Sequence, residues 1–209
     1  MVDTNEIDKL VYSAVFGSEE EKQDSRYQIW KLGVDNGVFC ASINDLYMAR
    51  GRGELPNDFT VPAMNVRGMN YDLSRGIFKV AKEKNVGAMI FEIARSEMGY
   101  TDQSPFEYTT VVTAAALREG WSGPLFIQGD HIQAKAESMG VIKEGEIEAI
   151  KDLISQCIAG GFYNIDIDMS TLVDLDKEDV FEQQEPNVKY SVELAQFIRE
   201  IQPDGIEIS

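Results

Sequence analysis

The chain holds a single histidine, His131, and the residue before it is an aspartate. Asp130-His131 follows an apolar run, residues 124–128, through Gly129, which places the pair at the mouth of a predicted strand. A carboxylate beside an imidazole at such a point offers an acid/base group next to a nitrogen metal ligand. Ile165-Asp166-Ile167-Asp168 alternates apolar and acidic residues, so both carboxylates point to one face of a strand. Two inward carboxylates are costly unless paired or metal-bound. For Asp166 a salt bridge to Arg95 or Lys135 is an equal reading; Asp168, nearer the strand's C-terminal end, is the better site candidate. Asn65 ends an earlier apolar run, where its amide is expected either to bind a substrate hydroxyl or to shape a loop. Arg95-Ser96-Glu97 closes the next run. Arg95 and Ser96 there could hold a phosphate or enediolate oxygen, and Arg95 could equally pair with Glu92 or Asp130 as a scaffold.

These residues need strands to carry them, and the sequence supplies a rhythm. Apolar runs at 60–66, 88–94, 124–128, 163–169 and 205–208 alternate with helix-spaced residues. The helical stripes are Leu73, Ile77 and Val80; Val111, Val112, Ala115 and Ala116; Ile147, Ile150, Ile154 and Cys157; and Leu194, Phe197 and Ile201. Short strands alternating with amphipathic helices imply βαβ units and a parallel sheet. That leaves an open doubly wound sheet or a (βα)8 barrel. No G-x-G-x-x-G follows the first strand, and the polar residues cluster at strand C-terminal ends, where a barrel builds its active site. The expected fold is therefore an α/β protein of the TIM (β/α)8 type over residues 59–209. With five strands against eight, it reads as a barrel cut short after about the fifth.

Residues 1–58 are expected to form a helical N-terminal lead-in. Ile7, Leu10, Val11 and Ala14 recur at helical spacing. Ser18-x-x-Glu21 is a capping-box signal, with Gly33 a plausible stop, and a short third helix is expected from Ser42 to Ala49. Tyr47, Arg50 and Arg52 read as packing and surface residues.

Composition narrows the function classes. Hydrophobic residues make up 44% and charged residues 26%, the balance of a soluble globular protein. The first residues show no basic segment leading into an apolar stretch, so no signal peptide is expected, and no apolar run approaches the roughly 20 residues that span a bilayer. A net charge of −17 argues against nucleic acid as a partner and would also repel phosphorylated metabolites. A phosphosugar enzyme with this charge must create positive potential locally, through a metal ion, arginines or backbone N–H groups. The two cysteines form no C-x-x-C pair and no disulfide framework, and Cys157 is expected as a buried free thiol. A cytoplasmic setting fits.

Several segments resemble the class II fructose-bisphosphate aldolase family. They are Ser42-Ile43-Asn44-Asp45, Asp58-Phe59-Thr60-Val61-Pro62-Ala63-Met64-Asn65, Ile93-Ala94-Arg95-Ser96-Glu97-Met98-Gly99-Tyr100, Gln128-Gly129-Asp130-His131 and Gly161-Phe162-Tyr163-Asn164-Ile165-Asp166-Ile167-Asp168. They come in family order from about Ser42 to Ser209. The resemblance implies a zinc-dependent, homo-oligomeric lyase that cleaves fructose 1,6-bisphosphate, or its tagatose epimer, into two triose phosphates. It implies His131 as a Zn2+ ligand and Asp130 as the acid/base group at the C4 hydroxyl. It also implies Ser96 at a substrate phosphate, Asn65 on the substrate side and Asp168 near the metal. The family's further histidine ligands have no counterpart among these residues, so an incomplete zinc site and an inactive fragment are expected. Two other readings stand beside it: a non-catalytic half-barrel used for binding or assembly, and another metal-dependent phosphosugar barrel enzyme such as an epimerase.

Overall fold

The computed structural model describes residues 3–209; Met1 and Val2, the start of the lead-in, lie outside them. The lead-in forms α1 (Thr4–Phe16) and α2 (Glu19–Asp35). The capping box forms as expected: the Ser18 hydroxyl accepts from Glu21 N–H at 3.3 Å, and the Glu21 carboxylate accepts from Ser18 N–H at 2.7 Å. Gly33 does not stop α2. Its lack of a side chain instead lets the helix approach Val38, whose carbonyl oxygen would lie 2.9 Å from an added Cβ. A strand then interrupts the expected run of helices, β1 (Val38–Cys40), followed by α3 (Asn44–Gly51).

The alternating part contains β2 (Ala63–Asn65), α4 (Asn70–Lys84), β3 (Ile90–Ala94), α5 (Arg95–Thr101), α6 (Pro105–Arg118) and β4 (Gly123–Gln133). A small antiparallel hairpin, β5 (Ala136–Ser138) and β6 (Val141–Ile142), leads to α7 (Glu146–Ala159). Then come β7 (Asn164–Asp168) and, after a 3-10 turn, α8 (Val180–Ile201). The main sheet is parallel throughout, and β2, β3, β4 and β7 lie side by side in chain order. β1 pairs with the first residues of β4, from Val38 opposite Gly123 to Cys40 opposite Leu125. Residues 205–208 form no strand. Ser209 nevertheless bonds on both sides along β7, its N–H to Tyr163 O at 3.2 Å and its carbonyl to Ile165 N–H at 2.9 Å, the pattern of a parallel neighbour. The chain is thus an α/β protein with a mostly parallel sheet.

Helices α4, α6, α7 and α8 pack successively against one another, and α1 and α2 pack on α6. Ile7, Val11, Ala14 and Ile29 of the lead-in join the same core as Phe91, Ile127, Ile154 and Leu194. α4 forms where its periodicity predicts it but turns a different face inward. Ser74, Phe78 and Ala81 are buried, whereas Leu73 and Val80 are exposed. Phe78 decides this: its ring stacks on Phe91 at 5.0 Å and lies 5.4 Å from Trp121.

The other face of the sheet positions the site. Strand alternation puts Ile90, Glu92 and Ala94 on it, beside Phe126, Gln128 and Asp130. Near the strand starts it is apolar, with Ile90, Phe126 and Ile43 packed together. Toward the C-terminal ends it becomes polar. Asn164, fully buried, ties the segment after β1 to this face: its Oδ1 accepts from Ile43 N–H at 2.9 Å and its Nδ2 donates to Ile127 O at 3.0 Å. Among the described residues, no helix is long and apolar enough to cross a membrane.

Replacing Asn164 by Ala strands a buried N–H and a buried carbonyl without partners. We expect a loss of roughly 2–4 kcal/mol, since each unsatisfied buried group costs about 1–3 kcal/mol, read as a lower urea midpoint at unchanged slope. A loss below about half a kcal/mol would show that the bonds contribute little.

Candidate metal and acid/base site

β4 and β7 do not run in even register. Gly129 pairs with Ile165 and Ile132 with Ile167, so three steps on β4 face two on β7. The extra residue makes a β-bulge at Asp130-His131. His131 takes it up by adopting left-handed backbone, with φ of 44°. The bulge turns its side chain outward over β7, where it is 64% exposed.

There His131 meets Asp166. The Asp166 Oδ2 accepts from His131 N–H at 3.1 Å and lies 3.2 Å from the imidazole Nδ1. Asp130 and Asp168 each bring an oxygen to 3.8 Å from the same nitrogen. The three carboxylates thus gather around Nδ1, the imidazole nitrogen that could share a cation with them. One ligand atom from each of Asp130, His131 and Asp166 lies within 4.8 Å of the others. Two carboxylates and an imidazole are hard-to-borderline donors that suit a divalent cation such as Zn2+. The alternative partners considered for Asp166, Arg95 and Lys135, are not the ones it uses.

The electrostatics follow from the crowding of carboxylates. Hydrogen bonding to Asp166, then the charge of Asp130, raises the His131 pKa above the ordinary imidazole value. Desolvation, then the charges of Asp166 and Glu97, raises that of Asp130 despite the opposing pull of His131. Glu92 is raised by desolvation and by Asp130 and Asp166, and accepts a hydrogen bond from Gln128 at 3.1 Å. Asp168 goes the other way. Desolvation would raise it, but hydrogen bonds from Ser170 and Gln133 hold it below the usual carboxylate value. Asp130 and Glu92 are therefore the carboxyl groups here that hold a proton more readily than usual, and Asp168 is an anion fixed by its donors.

The remaining sequence candidates are placed unevenly. Arg95 does not face Asp130 or Glu92. It is the first residue of α5, donates to Gln133 O at 2.8 Å and pairs with Glu146 at the start of α7, a scaffold role with a partner the sequence did not indicate. Ser96 is exposed on the next residue of α5 and takes no part in the bonds of the cluster. Asn65 donates its Nδ2 to Glu97 at 2.7 Å, and its Oδ1 is buried without a partner, so the amide is directed at a neighbouring side chain. Glu97 was not singled out as a site residue, yet it is the hub here. It is 6% exposed, accepts from Asn65 and from Ala94 N–H at 2.9 Å, and pairs with Arg67 at 3.1 Å. The signal for it lay in its position three residues after Ala94, where a carboxylate can return to the backbone at a helix start. No family model matches the chain, and no curated protein matches it.

As the chain's only imidazole, His131 gives one histidine resonance to follow by NMR. We expect it to titrate above the unfolded value of about 6.5, and Asp166→Asn to lower it toward that value. The ion pair then contributes to stability below the unfolded pKa, and the contribution fades as pH rises through the higher folded pKa. A midpoint unmoved by Asp166→Asn would disprove the coupling.

Proposed function

We propose that this chain provides the metal and acid/base corner of a class II-type ketose-bisphosphate aldolase, built on successive strands of a (βα)8-type barrel. The observation that carries the reading is the convergence of Asp130 and His131, in the C-terminal part of β4, with Asp166 of the neighbouring parallel strand β7, toward the rim on which barrel enzymes place their chemistry. Apart from β1, which pairs with the start of β4, the order β2, β3, β4, β7 follows the chain, and this supports barrel winding, because a doubly wound sheet reverses direction at its switch point.

His131 and Asp166, with Asp130 in reach, would hold a divalent cation such as Zn2+, which supplies Lewis-acid stabilisation of charge on the enediolate oxygens. Asp130 takes the proton of the C4 hydroxyl as the C3–C4 bond breaks and returns it in the reverse direction. Its raised pKa suits a group that must both accept and give a proton. Without a cation, Asp166 orients the imidazole by accepting at Nδ1, and Asp168 adds fixed negative charge beside it. Ser96 is free to meet a substrate phosphate. Arg67, held by Glu97 and more than half exposed, adds a positive charge on the side of Asn65 and Glu97. Asn65 acts through Glu97. The substrate class is a phosphorylated ketose, and free thiols at Cys40 and Cys157 agree with a cytoplasmic setting.

With one imidazole among its donors, the chain is expected to bind Zn2+ weakly and to release negligible triose phosphate from fructose 1,6-bisphosphate when metal is added. By titration calorimetry, His131→Ala and Asp166→Ala should each weaken Zn2+ binding by about tenfold or more. Zn2+ affinity untouched by both substitutions would sink the site. Rapid triose-phosphate release would sink the view that further ligands are needed, and turnover of a different phosphosugar would move the reading to an epimerase or isomerase.

A further inference from the structure

A cleft of about 470 Å³ lies between α1, the turn from β2 into α4, and the start of α6, and it shares no residue with the acid/base site. On one side of it α4 begins uncapped. The residue at the cap position, Met69, sits in left-handed backbone with φ of 51°, and no side chain accepts from the first turn. The first amides of a helix have no partner within it, so those of Asn70, Tyr71 and Asp72 remain as donors. Asn70 itself lines the cleft and is only 6% exposed. Its Nδ2 donates to Gln103 Oε1, and Gln103 Nε2 donates in turn to Arg67 O at 2.9 Å and Thr101 Oγ1 at 2.7 Å. Asn70 Oδ1 is left buried without a partner. Across the cleft, Tyr12 and Phe16 of α1 set their rings 5.2 Å apart and are 67% and 71% exposed.

We propose that this cleft binds a small neutral ligand made of a planar heteroaromatic ring with an amide edge, an N–H beside a C=O. The unmet hydrogen-bonding groups specify the edge. Asn70 Oδ1 lacks a donor and the α4 amides lack an acceptor, so the ligand's N–H serves the first and its carbonyl the second. Charge specifies neutrality. Asp8, Asp72 and Glu107 are the charged residues of the lining, and among the described residues no Lys or Arg lines it, which disfavours an anion. Each carboxylate already has its own cation, Asp8 with Arg118 at 3.2 Å, Asp72 with Arg75 at 3.2 Å and Glu107 with Arg26 at 3.0 Å, so a cationic ligand gains no free countercharge either. A carbonyl oxygen still suits the partial positive charge of the helix start. The ring is specified by the walls: the Tyr12–Phe16 pair and the Met69 thioether are the polarisable surfaces on which a flat ring packs. Mostly apolar walls with a few convergent polar groups, and a volume within roughly 300–1,000 Å³, are the form of a small-molecule pocket. Asn70 Oδ1 is covered in the free chain, so the edge reaches it by displacing a neighbouring side chain; Met69, next in the chain and 75% exposed, is the one free to move.

NMR titration of the chain labelled at its methionine methyls tests the proposal, with nicotinamide and uracil as the probes. At least one of them should shift the Met69 methyl in a saturable way. Pyridine, which keeps the ring and lacks the amide, and nicotinate, which replaces the amide by a carboxylate, should each bind at least tenfold more weakly. Asn70→Leu removes the buried acceptor and should weaken the probe about tenfold. Tyr12→Ala, at an exposed position, should keep the wild-type circular dichroism and weaken the probe about fivefold; it carries the test alone if Asn70→Leu does not fold. Binding of neither probe overturns the proposal. So does pyridine binding as tightly as the probes, which would make the cleft an unselective apolar surface, or nicotinate doing so, which would make it an anion site. A probe affinity unmoved by Tyr12→Ala overturns it as well.

Discussion

Between Gly129 and Ile132, β4 has one residue more than the stretch of β7 it pairs with, and the geometry of the strand mouth follows from that mismatch. In a strand without the bulge, Asp130 and His131 would point to opposite faces, and the imidazole would be directed toward the helix side. The bulge breaks the alternation where Asp130 and His131 come together with Asp166. Its local cost is a histidine in left-handed backbone, a conformation that His tolerates better than most residues. The Asp166 carboxylate offsets that cost by accepting from both the backbone N–H and the ring of His131. Backbone and side chain are thus fixed by the same oxygen, which leaves the imidazole little freedom to choose another orientation.

Carboxylates crowd the region around the bulge. Glu92, Asp130, Asp166 and Asp168 share one neighbourhood in a chain already strongly acidic, and His131 is the sole imidazole set against them. Some carboxylates find donors: Asp168 has Ser170 and Gln133, and Glu97 has Asn65, Arg67 and a backbone amide. Asp130 and Glu92 have less compensation and respond by holding protons more tightly. A divalent cation would relieve the same repulsion, and any that bound would compete with protons for these oxygens. The same crowding gives this part of the sheet a negative potential that would disfavour anionic ligands unless cations or backbone donors offset it.

What could be read from the sequence was what depends on periodicity and local chemistry. The alternation of strands and helices, the Ser18 capping box and the common face of Asp166 and Asp168 all follow from spacing over a few residues; Asp130-His131, expected just past a strand ending at residue 128, instead lies inside β4, which continues through the bulge to Gln133. What depends on contacts distant in the chain was hidden. β1 exists because the start of β4 lacks a neighbour on the side that β7 covers only from Gln128 onward. Arg95 pairs with Glu146, fifty-one residues away, and nothing near either residue announces it. The rotated face of α4 is set by Phe78 meeting Phe91, a packing preference that overrides the Leu73 and Val80 stripe. The bulge itself was invisible, because an extra residue in one strand has meaning only once its partner is known.

Glycines shape both the strand mouth and a cleft between α2, β1 and α6, though for different reasons. At the strand mouth, Gly129 has only Ile132 and Ile165 as close neighbours for an added Cβ, at 3.2 and 3.5 Å, so it eases the chain into the bulge. In the cleft beside α2, Gly161 has positive φ and would place a Cβ 2.8 Å from the Cys40 sulfur, and Gly160 would press on Pro105 at 3.1 Å. Larger residues there would force α6 and β1 apart and fill the cleft that Trp30 also lines. The turn from α7 into β7 therefore serves two ends of the same strand. Its glycines keep that cleft open on the helix side, and five residues further along β7, Asp166 fixes the imidazole. A shift of β7 along its axis would disturb both, which ties the shape of the outer surface to the geometry of the inner one.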